Sequence, residues 1–297
     1  MKRFYIRRVL RLAPALASFV IFFFILWDLL FDIINVRALS AALFYYFNYF
    51  RLSVGPDFYP PFNVLWSLAV EEHFYIIFPC IFIFCGGMTN RLLRLLITFI
   101  TIALLWRMYL FHAVSENWID VNPEYFKKAT DTRFDSIIYG VLLATAVALH
   151  STRDILTALR TIPAALSGVS LIIIGLGFKL PFFYEAETIS SLQYTLRYTL
   201  TGIGLFLSLN YVLFSPKAGA IRAALSTGIL VYIGKLSYSI YLWHLAILVT
   251  VRKLYPEHIG FEMTFACALL TVFFSMISYH FVELRFIKLR HRFGSNA

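Results

Sequence analysis

The chain has 297 residues, of which 60% are hydrophobic, 18% aromatic and only 14% charged, and its mean hydropathy is +0.77. This excludes a soluble globular domain. Apolar residues in blocks of about 20 specify an all-α, polytopic helical membrane protein, each span satisfying its own backbone across ~30 Å of hydrocarbon. A net charge of +10 suggests nucleic acid in a soluble chain, but here positive-inside bias of the short connections accounts for it, and no nucleic-acid partner is expected.

Residues 2–12, Lys-Arg-Phe-Tyr-Ile-Arg-Arg-Val-Leu-Arg-Leu, form a basic amphipathic segment with Arg7, Arg8 and Arg11 on one helical face. Two roles stay open: a topological anchor at the cytoplasmic surface, or an anion site for the phosphates of a diffusible cofactor. Pro14 is expected to open the first of eight spans, at about 14–34, 64–85, 91–111, 134–150, 161–179, 191–213, 233–251 and 260–282. Nothing reads as a cleavable signal peptide or a soluble appendage, so residues 1–297 are expected to form one membrane domain. Basic residues dominate one set of segments outside the spans (Lys2, Arg3, Arg7, Arg8, Arg11, Arg91, Arg94, Arg153, Arg160, Lys217, Arg222, Arg285, Lys288, Arg290, Arg292). The other set (Arg37, Arg51, Lys127, Lys128, Lys179, Arg252, Lys253) is partly neutralised by Asp57, Asp120, Glu124, Glu185 and Glu187. Both termini are therefore expected in the cytoplasm. The long outer connections are about 35–63, either a re-entrant segment or an aromatic interfacial belt, and about 112–133. Cys80, Cys85 and Cys267 lie in apolar runs without metal-ligand spacing and read as small lipid- or core-facing residues.

Chemistry concentrates in Leu65–Pro79, where Glu71, Glu72 and His73 run directly into an apolar stretch. Acids at such an edge face a cavity, a partner or a substrate, because each costs roughly 2.5–3.5 kcal/mol at the centre of a membrane helix. On a helix, Ser67 and Glu71 share one face, and Leu68, Glu72 and Tyr75 the next. The plainer reading is an interfacial helix start, with Trp66 in the aromatic belt and the acids complementing the dipole.

Further along, Arg133 and Asp135 open the fourth span two residues apart, on different helical faces, so each needs a partner elsewhere: a neighbouring helix or the substrate. Arg107 and Arg197 also sit in apolar runs, with Asp28, Asp32, Glu71 and Glu72 as candidate partners. Span seven places Ser237, Tyr241 and His244 at i, i+4 and i+7, a polar stripe in which His244 either packs by hydrogen bonding or orients and deprotonates a hydroxyl. His280 and Glu283, one turn apart, are expected to pair. Gly202 and Gly204 read as close helix packing. There is no phosphate-binding glycine loop, no HExxH and no Gly-x-Ser-x-Gly elbow, and no metal is expected.

Taken together these pieces resemble the acyltransferase 3 family of integral-membrane O-acyltransferases. They are Phe4-Tyr-Ile-Arg-Arg-Val-Leu-Arg-Leu-Ala-Pro14, Trp66-Ser-Leu-Ala-Val-Glu-Glu-His-Phe-Tyr75, Arg133-Phe-Asp135 leading to Gly140, Leu236-Ser-Tyr-Ser-Ile-Tyr-Leu-Trp-His244, and Tyr279 to Glu283, in the family's order. The resemblance implies transfer of an acyl group, acetyl in particular, from acyl-CoA to a hydroxyl of a sugar or exported glycan, in the bacterial inner (plasma) membrane. It implies catalytic roles for Glu71, Glu72 and His244, substrate contacts from Trp66, Ser67, Arg133, Asp135 and Tyr241, and cofactor contacts from Arg7, Arg8 and Arg11. The partners implied are the lipid bilayer and a carbohydrate or glycolipid acceptor. The family's usual ten-span core is expected here without its first two spans, including the histidine taken as its base. His73 stands where the family usually has glutamine. The alternative reading is a non-catalytic remnant, or a transporter-like protein with the same fold.

Overall fold

The computed structural model describes residues 2–55, 57–177, 187–257 and 260–290, without the side chains of 187–190 and 290. Of the loop charges, Lys179, Glu185 and Arg292, and the side chains of Glu187 and Arg290, lie outside the described residues. The α-helices in chain order are α1 Lys2–Phe31, α2 Val36–Leu43, α3 Phe47–Val54, α4 Leu65–Phe84, α5 Asn90–Ser115, α6 Glu124–Lys128, α7 Thr130–Arg133 and α8 Asp135–Ala148. They continue with α9 Arg153–Ala158, α10 Ile162–Gly177, α11 Glu187–Tyr194, α12 Leu196–Phe214, α13 Gly219–Leu225, α14 Gly228–Leu254, α15 Phe261–Ile277 and α16 Leu284–Arg290. Among the described residues there is no strand, and the chain is an all-α membrane protein.

A helix lies on each of the eight expected spans. Among the described residues, four helical segments are long and apolar enough to cross a bilayer, or six if two bent pairs each count as one span. The bends follow Ala148, at 102°, and Phe214, at 84°. α10 has 16 described residues. α14 has 27, but Lys235, Ser237, Tyr238, Tyr241 and His244 dilute its apolar character. Pro14 does not open a span: α1 runs through it from Lys2, since a proline removes one backbone donor and kinks a helix without having to end it when packing holds both sides. Leu29, Phe84 and Phe261 are more than three-quarters exposed, which suits a lipid-facing surface.

The chain divides into two compact units, Met1–Ala69 with Gly228–Ala297, and Val70–Thr227. In the first, α1, α14, α15 and the segment between α1 and α4 bury an aromatic core. Phe19, Phe23 and Trp27 on α1 are at most 2% exposed, as are Phe47, Tyr59 and Phe62. Trp243 stacks on Phe274 at 5.1 Å and meets Phe19 edge-on at 5.7 Å. Trp27 Nε1 donates to Thr250 Oγ1 (2.8 Å) and the Tyr59 hydroxyl to the Phe23 carbonyl (3.1 Å), so the polar ends of buried aromatics are satisfied. Burial, and then the charge of Asp28, push the Tyr59 phenol well above its usual value and keep it a neutral donor. The 35–63 connection is divided between core and surface. Its Phe47, Tyr59 and Phe62 are core, while Phe44, Tyr46 and Tyr49 stay exposed as a belt would.

The second unit is built on α5, α8, α10 and α12. α10 and α12 touch backbone to backbone: a Cβ on Gly204 would meet the Gly168 carbonyl oxygen at 2.5 Å, and one on Gly168 the Gly204 oxygen at 2.8 Å. A Cβ on Gly202 would strike the Tyr139 ring of α8. The Gly202-x-Gly204 pair is therefore a packing device. Asn210, fully buried, donates to the Leu156 carbonyl at 3.0 Å. Cys80 is exposed, Cys85 and Cys267 are buried, and all three are free.

Replacing Gly204 by valine should overpack α10 against α12 and cost about 1–3 kcal/mol. The expected result is a lower melting temperature in detergent, with Gly177→Ala, where no atom of the described residues stands within 4 Å of the new Cβ, close to wild type.

Candidate functional site

α4 begins in the first unit and continues into the second, so the candidate residues are best followed unit by unit.

In the first unit the polar stripe of α14 is real. The Tyr241 hydroxyl donates to the Val64 carbonyl at 2.8 Å and is also hydrogen-bonded to Ser67 Oγ. A carbonyl can only accept, so the phenol spends its proton there and Ser67 donates to the phenol oxygen. This joins the start of α4 to α14 through Ser67 and Tyr241, with Trp66 half-buried beside them. One turn on, His244 is exposed, and its Nδ1 lies 2.7 Å from the Tyr241 carbonyl and 3.1 Å from that of Ile240. Both partners only accept, so Nδ1 carries the proton of the neutral ring and Nε2 keeps its lone pair. That tautomer can receive a proton from a hydroxyl.

Toward the other end of α14 a cleft of about 360 Å³ is lined by Arg11, Lys235, Ser237, Tyr238, Tyr279 and Glu283 among others. Tyr238 donates to the Leu12 carbonyl at 3.0 Å, holding α14 to α1 beside the basic segment. Of the three candidate cofactor arginines, Arg11 lines this cleft, while Arg7 and Arg8 are half-buried on the preceding turn. Two cations face one carboxylate, and Glu283 accepts a hydrogen bond from Ser239. The donor set suits the anionic end of a ligand.

The expected His280–Glu283 pair does not form. His280 Nε2 bonds the Tyr232 hydroxyl at 3.0 Å, and Glu283 turns to Ser239. Ser278–Glu283 is a π-helical turn, whose wider period takes residues three apart off a common face.

In the second unit Glu71 and Glu72 are half-buried on α4, and His73 Nδ1 lies 2.7 Å from Thr130 Oγ1. Arg133 and Asp135 do part company, as their spacing predicts. Asp135 is fully buried and both its oxygens are held by Arg107, at 2.9 Å from Nη1 and 2.8 Å from Nη2. Arg107, also fully buried, further donates to the Thr132 carbonyl (2.8 Å), Thr199 Oγ1 (2.9 Å) and the Thr195 carbonyl (3.2 Å). Its acid is Asp135 rather than Asp28, Asp32, Glu71 or Glu72, and five donated bonds tie α5 to α7, α8, the α11–α12 break at Thr195 and α12. With both oxygens committed, Asp135 positions its surroundings. Arg133 instead lies over the Tyr198 ring, its guanidinium carbon 3.8 Å from the centroid.

Sequence reasoning passed over Lys235, Tyr238 and Tyr198. The first two lie inside the quoted Gly234–His244 stretch. Tyr198 follows Arg197 at the start of α12, where an aromatic belt would also put a tyrosine.

The profile of the acyltransferase 3 family, described as an acyltransferase domain, matches residues 1–280. A Staphylococcus aureus (strain COL) protein provisionally named an O-acetyltransferase is 30% identical over 300 residues, covering 97% of this chain and 48% of that protein. O-acetyltransferase OatA of S. aureus (strain NCTC 8325 / PS 47) is 28% identical over 292 residues, covering 94% and 46%. The chain spans about half the length of the curated relatives it matches. No solved structure matches it. With a match running nearly from end to end, over the basic segment, α4 and the stripe of α14 alike, the chain belongs to the acyltransferase 3 family.

Proposed function

We propose that this chain carries the acyl-transfer chemistry of a membrane O-acetyltransferase, moving acetyl from acyl-CoA to a hydroxyl of a sugar or exported glycan in the bacterial inner membrane, both termini cytoplasmic. The observation that carries this reading is the polar line along α14, from the Arg11–Lys235 cleft through Ser237 and the Ser67–Tyr241 contact to the Nε2 of His244. The relatives' O-acetyltransferase names supply the acyl group.

Arg11 and Lys235 would hold the donor's phosphates, with Arg7 and Arg8 adding positive potential from the preceding turn. The donor, when bound, supplies an acyl group activated as a thioester. His244 Nε2 would take the proton of the acceptor hydroxyl as the new oxygen–acyl bond forms and the carbon–sulfur bond breaks, and return it to the departing sulfur. Tyr241 and Ser67 would fix the angle of the reacting groups, since their hydroxyls are locked by one shared bond and the Val64 carbonyl. Glu71 and Glu72 are proposed as the acidic face toward the acceptor, with Trp66 as an apolar surface for a sugar ring. Arg133, and Asp135 through Arg107, serve acceptor binding. The outer connections are assigned to the side opposite the termini by the charge asymmetry.

His244→Ala should lower glycan acetylation by about 10²–10⁴-fold, the usual worth of a general base, with protein level and melting temperature unchanged. Acetylation within a few-fold of wild type would remove His244 from the chemistry. Lys235→Ala and Arg11→Ala should each raise the donor KM by about tenfold or more, in line with a lost charge-assisted hydrogen bond, and leave the acceptor KM in place. A transporter-like protein would respond otherwise: Glu71→Gln would alter uptake of a solute and leave ester formation intact.

A further inference from the structure

Three guanidinium carbons lie within 6 Å of one phenol ring in the second unit. Arg133 is at 3.8 Å from the Tyr198 centroid, Arg197 at 4.6 Å and Arg107 at 5.5 Å. Tyr198 is 6% exposed and Arg197 9%. Asp135 lies in the same cluster, but both its oxygens are taken by Arg107. Among the described residues no carboxylate or carbonyl is bonded to the Arg197 guanidinium, which lies against the ring.

A buried guanidinium beside two others is a costly arrangement unless an anion completes it. Stacking on a ring relieves part of this and covers the face of the guanidinium. The in-plane N–H groups remain, and their fork matches the two oxygens of a carboxylate or phosphate. Arg197 is the second residue of α12, two positions after the Thr195 carbonyl that Arg107 holds, so Arg107 anchors the chain where α12 begins.

We infer that Arg197, stacked on Tyr198 beside Arg133, is a binding residue for an oxyanion carried by the acceptor, a sugar carboxylate or a sugar phosphate, and that the acceptor is an acidic glycan. The identity of the ligand rests on the acyl-transfer reading, whereas oxyanion binding at Arg197 does not. A neutral sugar would offer the in-plane N–H groups of Arg197 only hydroxyl oxygens in place of an oxyanion.

The test is binding, without turnover, to the purified protein in detergent, using D-glucuronate, glucose 1-phosphate and glucose as probes. Glucuronate should raise the melting temperature where glucose does not, and Arg197→Gln should bind it about 10- to 100-fold more weakly, the loss of a charge-assisted bond. A response to glucose 1-phosphate alone supports the subsite and makes phosphate the source of the oxyanion. Should Arg197→Gln fold poorly, Arg197→Lys keeps the charge without the fork and should weaken binding part-way. The inference is overturned if neither acidic probe outdoes glucose. It is equally overturned if Glu185→Gln or Glu187→Gln destabilises the protein as much as Arg197→Gln does while no probe binds, because the charge is then paired within the chain. In glycan acetylation assays Arg197→Gln should raise the acceptor KM and leave the donor KM alone. Absence of any acetyl transfer by the wild type would count against the acyl-transfer reading, and the binding arm would still decide the subsite.

Discussion

A guanidinium inside an apolar bundle has to find every partner in the protein, and Arg107 sets the second unit around that demand. It sits in the last third of α5, fully buried, and gives two bonds to Asp135 and three more to Thr132, Thr195 and Thr199. Two stretches of chain, 132–135 and 195–199, are thereby held to α5 through one planar group, whose fork geometry admits little variation. A buried pair of this kind adds little net stability compared with apolar residues of the same shape, yet loss of one partner leaves a charge with no solvent. Its contribution is therefore placement: Arg133, Arg197 and Tyr198 lie where they do because the carbonyls and hydroxyls next to them are already committed.

The first unit answers the same constraint differently. Along α14 three polar side chains are tied to backbone, Tyr238 to Leu12, Tyr241 to Val64, and His244 to Tyr241 and Ile240, while Ser239 reaches the Glu283 carboxylate. Backbone acceptors have fixed positions and no titration, so they determine which atoms of these side chains keep chemical freedom. For Tyr241 it is the oxygen that Ser67 meets, and for His244 it is Nε2. The aromatic core of Phe19, Trp27, Phe62, Trp243 and Phe274 packs around the same helix and leaves its stripe unchanged in direction over the two turns from Ser237 to His244.

Much of this was legible in the residues. All eight apolar blocks are helical, because apolar length is a strong signal in a membrane chain. Periodicity gave the face of Ser237, Tyr241 and His244, the divergence of Arg133 from Asp135, and the packing role of Gly202 and Gly204. What periodicity cannot give is the partner helix: Arg107 and Asp135 are remote in sequence, and several acids were equally available. Local departures from the α-helical period were also invisible. The π turn at Ser278–Glu283 separated His280 from Glu283, and the break at Thr195 split the sixth block into two helices. Tyr198 escaped notice because a tyrosine at the end of a span is expected whether or not cations gather on it.

The central claim is that this protein forms an ester on a glycan, and the most direct measurement is the fate of the acyl group itself. Native membranes supplied with acetyl-labelled acetyl-CoA should transfer label to the glycan fraction as an alkali-labile ester, and membranes from a strain lacking the gene should not. Equal ester label with and without the gene, alongside gene-dependent movement of a solute across the membrane, would contradict the account and make the polar interior a transport path.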